Sequence, residues 1–256
     1  MNPAPKIRIE NVTKIYDTGM TALSHVSLEI AEGTFISLLG PSGCGKSTLL
    51  NMIAGFVQKT SGRIAVDGRE VQGPGGDRGM VFQEYALFPW LTALENVAFG
   101  PMLKRVAKAE RLETAAHYLG LVGLSNHADK FPSELSGGMK QRVAIARALA
   151  NAPSVLLMDE PFGALDAHTR ETLQDELLSI WEKDRKTVVF VTHSVSEAVV
   201  LSDRVVLMGA NPGHVREVFD IDLPRPRRRD TDDFVALERR IHAMMRDEAP
   251  APAAAA

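Results

Sequence analysis

The chain has 256 residues, of which 45% are hydrophobic and 24% are charged, and its formal net charge at pH 7 is −3. This composition excludes a disordered chain and predicts one large globular domain or two small ones. The slightly acidic balance argues against a protein that binds nucleic acid through a broad basic surface. The single cysteine excludes an internal disulfide.

The N-terminal part of the chain is predicted to be rich in β-strands. Residues 6–16 and 25–30 alternate apolar and polar side chains, which is typical of half-buried strands. A third run, residues 35–39, is apolar except for Ser37, and the apolar residues of a helix resume at 49–53. The segment between them therefore connects a strand to a helix.

That connecting segment reads GPSGCGKST, which is Gly40, Pro41, Ser42, Gly43, Cys44, Gly45, Lys46, Ser47 and Thr48. Its glycines let the backbone curl so that N–H groups point inward, and the following helix directs its positive end at the same anion. In such a cradle, Lys46 reaches the β and γ phosphates of ATP and the Ser47 hydroxyl can ligate Mg²⁺. Cys44 is expected to be a small packing residue.

The rest of the chain predicts an α/β core. Residues 62–67 form a strand candidate that ends in an Asp67-Gly68 turn signal, and residues 91–150 have helical spacing. Unbroken apolar runs occur at 155–158, 188–191 and 205–208, and runs of this kind are typical of strands buried in a parallel sheet. Helical segments such as 169–181 lie between them, which indicates an α/β core.

Polar residues that suit phosphate chemistry follow the strand candidates. Asp159 can bind Mg²⁺, and Glu160 can accept a proton from the attacking water. His193 could hydrogen-bond a γ-phosphate or hold the catalytic carboxylate, and Gln83 could offer its amide oxygen to Mg²⁺ or the lytic water. Taken singly, each has an ordinary alternative: acidic residues for solubility, a structural histidine and a surface amide.

Residues 135–138 read LSGG and lead directly into a helical segment at 140–150. Ser136 and the amides of Gly137 and Gly138 could hold a second phosphate at this helix start. An ordinary helix cap would look similar in so short a window.

The chain resembles the ATPase subunit of an ATP-binding cassette transporter over about residues 6–225. The resemblance is carried by six features in this order along the chain: the cradle, Gln83, LSGGMKQ, VLLMDE, Ala164-Leu165-Asp166 and His193. The resemblance implies an α/β P-loop NTPase with a parallel core sheet, an antiparallel β subdomain and an inserted helical subdomain. We expect the ATP-binding domain at 1–230, with its helical subdomain at about 84–153. An amphipathic helix and a disordered Ala/Pro tail are expected at 231–256.

In that family two ATPase subunits close head to tail, and each ATP lies between the cradle of one and the signature motif of the other. The resemblance implies that five residues contact the partner's nucleotide or lie at the dimer seam: Ser136, Gly137, Gly138, Met139 and Asp166. Met139 replaces the glutamine that many relatives carry after LSGG.

The resemblance also assigns roles within one subunit. Tyr16 is similar to the aromatic residue that stacks on adenine, although it could be a mere strand residue, and Gln83 is similar to the glutamine that links the nucleotide to the transport domain. The expected catalytic residues are Glu160, His193 and Gln83. The expected Mg²⁺ ligands are Ser47, Gln83 and Asp159.

Residues 85–90 (YALFPW) place large apolar groups in a predicted loop, and exposed apolar clusters mark docking surfaces. The resemblance makes Phe88 and Trp90 candidates for contact with the membrane subunits, and packing inside the helical subdomain is the alternative. The PRPRRR stretch at 224–229 is either a solvated linker or a contact for anionic lipid headgroups. The chain also contains VFQEYALFPWLT, DEPFGALDAHTR and a tail similar to PGxVxxxxxxDLPRPR, and this combination resembles the branch that imports nitrate, sulfonates, taurine and related small solutes.

The implied partners are a second copy of the chain or a paralogous ATPase, two transmembrane permease subunits and, indirectly, an extracytoplasmic solute-binding protein. No apolar stretch reaches the roughly 18 residues of a membrane span, and no signal pattern begins the chain. We therefore expect a peripheral protein on the cytoplasmic face of the inner membrane. The alternative is a soluble P-loop ATPase or kinase, but a kinase would not need LSGGMKQ, and a repair ATPase would need a coiled coil, a second cassette or a basic surface.

Overall fold

The computed structural model describes residues 4–246. The strands, in chain order, are β1 (Ile7–Ile15), β2 (Thr21–Ile30), β3 (Phe35–Leu39), β4 (Ser61–Val66), β5 (Arg69–Glu70), β6 (Arg78–Val81), β7 (Val155–Asp159), β8 (Thr187–Thr192), β9 (Arg204–Gly209) and β10 (His214–Asp220). The α-helices are α1 (Lys46–Ala54), α2 (Ala93–Leu103), α3 (Lys108–Leu121), α4 (Gly137–Leu149), α5 (Ala167–Asp184), α6 (Val195–Leu201) and α7 (Asp232–Arg246). The expected Ala/Pro tail, residues 249–256, lies outside the described residues.

The described residues form two compact units, one up to Pro74 and from Thr187 onward, the other Gly75–Lys186. The first unit holds an antiparallel sheet in the order β2-β1-β4-β5. In this sheet Ile9 lies opposite Leu28 on one side and Ile64 on the other, so the inward residues of the alternating pattern form one buried face. The alternation predicted the strands of this sheet, and the family resemblance implied that they form an antiparallel β subdomain.

The first unit also contains the strands β10-β9-β3-β8, in that order. β3 is parallel to both β8 and β9, and β10 is antiparallel to β9. Every residue of β3 and β8 is buried, which explains why β3 is apolar except for Ser37 and why β8 contains the apolar run 188–191. The rings of Phe35 and Phe190, on adjacent strands, have centroids 5.9 Å apart.

The second unit combines a parallel strand pair with helices. β6 and β7 pair so that Val81 lies opposite Met158. Helices α2, α3 and α4 pack around a shared apolar core that includes Val97, Leu119 and Val143. α2 begins with a capping box in which Thr92 and Glu95 exchange side-chain and backbone hydrogen bonds.

The C-terminal part of the first unit corrects the interpretation of PRPRRR as a solvated linker. Arg227 donates to the carbonyl oxygens of Val199 (2.6 Å) and Ser202 (2.5 Å), and Arg225 donates to that of Leu201 (2.7 Å). These two arginines therefore bind the end of α6. α7 buries Phe234 and Ile241 and packs against α6. Within residues 4–246, no helix combines the length and apolar character needed to cross a bilayer.

Candidate nucleotide site

The GPSGCGKST segment follows β3 and ends at the first turn of α1, as predicted. Gly45, the residue before the helix, has φ +88°, and a Cβ placed there would lie 2.5 Å from Leu23 Cδ2. No side chain makes a capping hydrogen bond at the N-terminus of α1, and no acidic residue lies in its first turn. A helix start of this kind, with its positive dipole end and no acidic residue in its first turn, fits an anion such as a phosphate.

Lys46 points its ammonium group back into the cradle. Its Nζ donates to the carbonyl oxygens of Gly40 (2.8 Å) and Pro41 (2.9 Å), and it lies 3.8 Å from the sulfur of Cys44. The residue is only 5% exposed, and Cys44 is fully buried. The cradle thus holds a buried positive charge, whose three donors could turn from carbonyls to phosphate oxygens.

Tyr16 lies beside the same helix start. It follows β1, and its hydroxyl oxygen is 3.4 Å from the Thr48 hydroxyl oxygen in the first turn of α1. The ammonium group of Lys14 lies 4.8 Å from the centre of the Tyr16 ring. The aromatic residue predicted to meet adenine is therefore brought next to the predicted phosphate cradle.

His193 leaves the sheet at the same edge as the cradle. β3 and β8 are parallel with Leu39 opposite Thr192, so Gly40 and His193 are the residues that follow a matched pair. Residues on both sides of this exposed histidine take part in hydrogen bonds. On the strand side, the Thr192 hydroxyl donates to a carboxylate oxygen of buried Glu197 (2.5 Å).

Residue Ser194 completes this arrangement. Its backbone N–H donates to the Thr192 hydroxyl (3.0 Å), and its own hydroxyl accepts from the Glu197 backbone N–H (3.3 Å). Sequence analysis did not single out Thr192 and Glu197. The available signal was a threonine before the histidine and a glutamate four residues after it, within the first turn of α6.

In the second unit, the parallel register of β6 and β7 places Gln83 and the Asp159-Glu160 pair after neighbouring strand ends. Gln83 is exposed, and the two acidic residues are half-buried. Glu160 has φ +42°, a left-handed conformation that is uncommon for a non-glycine residue. The structure therefore brings together a carboxylate pair and an amide, a donor set that suits Mg²⁺ and a water molecule.

The signature residues form the start of α4. The Ser136 hydroxyl accepts a hydrogen bond from the Met139 backbone N–H (3.3 Å) and so caps the helix. A Cβ on Gly138 would lie 2.8 Å from Thr169 Cγ2, which explains the need for glycine where α4 meets α5. The side chain of Met139 packs against the core of α2, α3 and α4, which explains an apolar residue at this position.

Asp166 caps α5 by accepting a hydrogen bond from the Thr169 backbone N–H (3.0 Å). That hydrogen bond lowers the pKa of the Asp166 carboxyl group below its ordinary value. A Cβ on Gly137 would lie 3.9 Å from Leu165 Cδ2, so the two helix starts are neighbours. The residues predicted to face a partner subunit are thus grouped within the second unit.

Comparison with known proteins identifies the family. Residues 23–163 match the family described as ABC transporter. The chain belongs to the ABC transporter family. Its identity with an uncharacterised ABC transporter ATP-binding protein of Methanocaldococcus jannaschii is 53% over 246 residues, which covers 95% of this chain and 92% of that protein.

Two further relatives cover most of the ABC chain. It is 51% identical over 230 residues to the bicarbonate transport ATP-binding protein CmpD of Synechocystis sp., covering 88% of this chain and 82% of CmpD. It also resembles a dimeric ATP-binding cassette in a post-hydrolysis state with bound ADP and Pi, with TM-score 0.75 and 38% identity, covering 85% of this chain and all of the other. The predicted P-loop NTPase fold and ATPase class are therefore confirmed.

Proposed function

We propose that this ABC ATPase is the energy-coupling subunit of an importer for a small anion or a related solute, such as nitrate, a sulfonate or taurine. The observation that carries the proposal is the cradle, where the buried Lys46 ammonium group donates to two backbone carbonyls beside an α1 start whose first turn has no acidic residue. A relative named for bicarbonate transport supports the small-anion class. The proposed domain limits are 1–230, with the helical subdomain at about 84–153.

In the proposed mechanism the cradle binds and orients the triphosphate of ATP. Lys46 exchanges its carbonyl partners for β- and γ-phosphate oxygens, and the backbone amides of the cradle face the same charge. Tyr16 stacks on the adenine ring. When bound, Mg²⁺ would supply positive charge that offsets the charge of the phosphates, and the residues that would hold it are Ser47, Gln83 and Asp159.

The chemical step is assigned to a carboxylate. Glu160 accepts a proton from a water molecule whose oxygen bonds to the γ-phosphorus, and the bond from that phosphorus to the bridging oxygen breaks to give ADP and phosphate. His193 donates a hydrogen bond to the γ-phosphate, and Gln83 orients the water. The fixed backbone around Thr192 keeps the imidazole in place.

We further propose that two copies close head to tail. Ser136, with the amides of Gly137 and Gly138, would cover the γ-phosphate bound by the partner, and the Met139 region and Asp166 would line the seam. The dimeric cassette with ADP and Pi supports this arrangement. A second positive helix end near the phosphates would make ATP a bridge between subunits, and hydrolysis would remove it.

The proposed partners are two permease subunits and an extracytoplasmic solute-binding protein, which would hold the chain peripherally at the cytoplasmic face of the inner membrane. The test is to purify the chain with its native membrane partners in detergent, reconstitute the complex and measure ATP turnover with each candidate solute and binding protein. We expect solute-dependent acceleration that Lys46→Ala abolishes together with nucleotide affinity. If the chain in cell extracts does not sediment with membranes and no permease subunit co-purifies with it, a soluble ATPase or kinase would be favoured instead.

A further inference from the structure

Residues 85–90, which we call the docking loop, have an unusual backbone. Tyr85 and Ala86 have φ values of +52° and +49°, so two successive non-glycine residues adopt the left-handed conformation. Such a bend persists only where surrounding contacts hold it. The structure shows which contacts do so.

A side chain from the signature helix holds the bend. Arg147 of α4 donates from Nη2 to the Tyr85 carbonyl oxygen (2.8 Å) and from Nη1 to the Ala86 carbonyl oxygen (2.5 Å). Its guanidinium carbon also lies 5.8 Å from the centre of the Phe88 ring. Burial lowers the pKa of Arg147 from its ordinary value. The planar guanidinium thus binds two consecutive carbonyls as a fork, which a lysine cannot reproduce.

The loop also touches the other end of the same helix. A Cβ on Gly137 would lie 3.2 Å from the Tyr85 hydroxyl oxygen, so the phenol packs directly on a signature glycine. Gly137 and Arg147 are about 15 Å apart along α4, at 1.5 Å per residue. Tyr85 therefore contacts the first turn of α4 through its side chain and the last turn through its carbonyl.

The outer half of the docking loop is shaped by α2. The fully buried Asn96 accepts a hydrogen bond from the Phe88 backbone N–H (2.9 Å) and donates to the carbonyl oxygens of Phe88 (3.1 Å) and Leu91 (3.0 Å). The Phe88 ring packs on that of Phe99, with centroids 4.4 Å apart. Trp90, in contrast, is 70% exposed. The loop presents a large apolar group from a fixed base.

We propose that Tyr85 and Arg147 are positioning residues that fasten the docking loop to α4, so that the loop and the signature motif move together. The inference rests on the proposed function, which gives the start of α4 to the partner's nucleotide, and on the sequence-based expectation that Trp90 contacts a permease subunit. A displacement of α4 during dimer closure then carries Trp90 with it. Arg147 sets this attachment, and Asn96 keeps the shape of the loop.

The chain offers a matched set of variants. Arg147→Met removes the fork and keeps most of the apolar stem, and Arg147→Lys keeps the charge with one donor group. The control is Arg142→Met on the same helix. The Arg142 guanidinium donates to the Val122 carbonyl oxygen (3.0 Å) and pairs with Glu176 (2.9 Å), and neither partner belongs to the docking loop.

The first measurement is hydrogen–deuterium exchange of the full-length chain without nucleotide. The Phe88 and Leu91 amides donate to Asn96 and to the Phe88 carbonyl oxygen. Arg147→Met should accelerate their exchange about tenfold, with Arg147→Lys intermediate and Arg142→Met unchanged in this segment. Equal exchange in wild type and Arg147→Met would overturn the proposal.

The second measurement separates positioning from simple stability. In the reconstituted complex, Arg147→Met should reduce the solute-stimulated ATPase rate about tenfold and leave the basal rate of the isolated chain within about twofold. Stimulation equal to that of the wild type would overturn the proposed coupling. If the wild type itself hydrolyses no ATP, the proposed function fails, and the exchange measurement alone decides whether Arg147 holds the loop.

Discussion

The arginine clamp at the end of α6 gives a quantitative prediction. The Arg227 guanidinium donates to carbonyl oxygens at the end of this helix and in the segment after β10: Val199 (2.6 Å), Val200 (3.3 Å), Ser202 (2.5 Å), Leu223 (2.9 Å) and Ile221 (3.1 Å). The last carbonyls of a helix have no partner within the helix, and a cation there also suits the dipole. The perturbation is Arg227→Met, which keeps the apolar stem and removes every donor.

The magnitude follows from where the acceptors lie. Val199 and Ser202 are fully buried and Val200 is 2% exposed, so water cannot replace the lost donors at this end of α6. Each buried acceptor left unsatisfied costs about 1–3 kcal/mol. The three carbonyls at this end of α6, each at the lower end of that range, therefore predict a decrease of about 3 kcal/mol in the free energy of unfolding.

The assay is urea unfolding followed by circular dichroism, with Arg228→Met as the control. The Arg228 side chain is 74% exposed and pairs with Asp230 at the surface. Its replacement should therefore leave the unfolding midpoint unchanged. Burial, followed by the nearby charge of Arg225, lowers the pKa of Arg227 to about 10. The group stays charged below about pH 9, so the Arg227→Met effect should be the same at pH 6 and pH 8. Equal midpoints for both variants would refute this account of the clamp.

Three further substitutions test the site and its surroundings. Glu160→Gln should keep ATP affinity, lower hydrolysis by about 100-fold or more and trap a dimer in gel filtration; normal hydrolysis would end the general-base assignment. Trp90→Ala should weaken permease assembly by about 30-fold in pull-down titration, with basal ATPase retained, and the reverse pattern would place Trp90 in the core. Gln141 is fully buried, and its amide has no hydrogen-bond partner among residues 4–246, so Gln141→Met should raise the free energy of unfolding by about 1 kcal/mol, and a clear loss of stability would contradict this.

Local sequence patterns predicted the interior of the fold but not its edge. The runs that became β8 and β9 are apolar because almost every residue in them is buried. β10 was not predicted, since Phe219 is its only buried residue and the strand lies at the sheet edge. The alternating pattern found only residues 25–30 of β2, which begins earlier, at Thr21. Strand order and register depend on contacts between segments that are far apart in the chain, and local sequence patterns do not predict such contacts.

The candidate site divides in the same way. The cradle was predictable because its glycines, Lys46 and Ser47 act within one short segment. The sequence predicted His193 but not its neighbours Thr192 and Glu197, because these two residues interact between a strand end and a helix start. Asn96 and Arg147 gave no signal, since their partners are backbone carbonyls of a loop, and a carbonyl carries no side-chain information.

The same contacts bear on how the chain would reach a membrane. In PRPRRR, Arg225 pairs with Asp203 and Arg228 pairs with Asp230, and the part-buried Arg227 guanidinium is held against backbone carbonyls, so the stretch presents fewer free cations than its sequence indicates. Attraction to anionic lipid needs several uncompensated cations near the surface, at about 1 kcal/mol each. We therefore expect the purified chain to remain in the supernatant with phosphatidylglycerol vesicles at 0.15 M salt, roughly the physiological ionic strength, and to sediment with vesicles that contain its permease. Sedimentation with lipid alone, and its loss in Arg228→Met, would show that charge at this stretch holds the protein on the membrane.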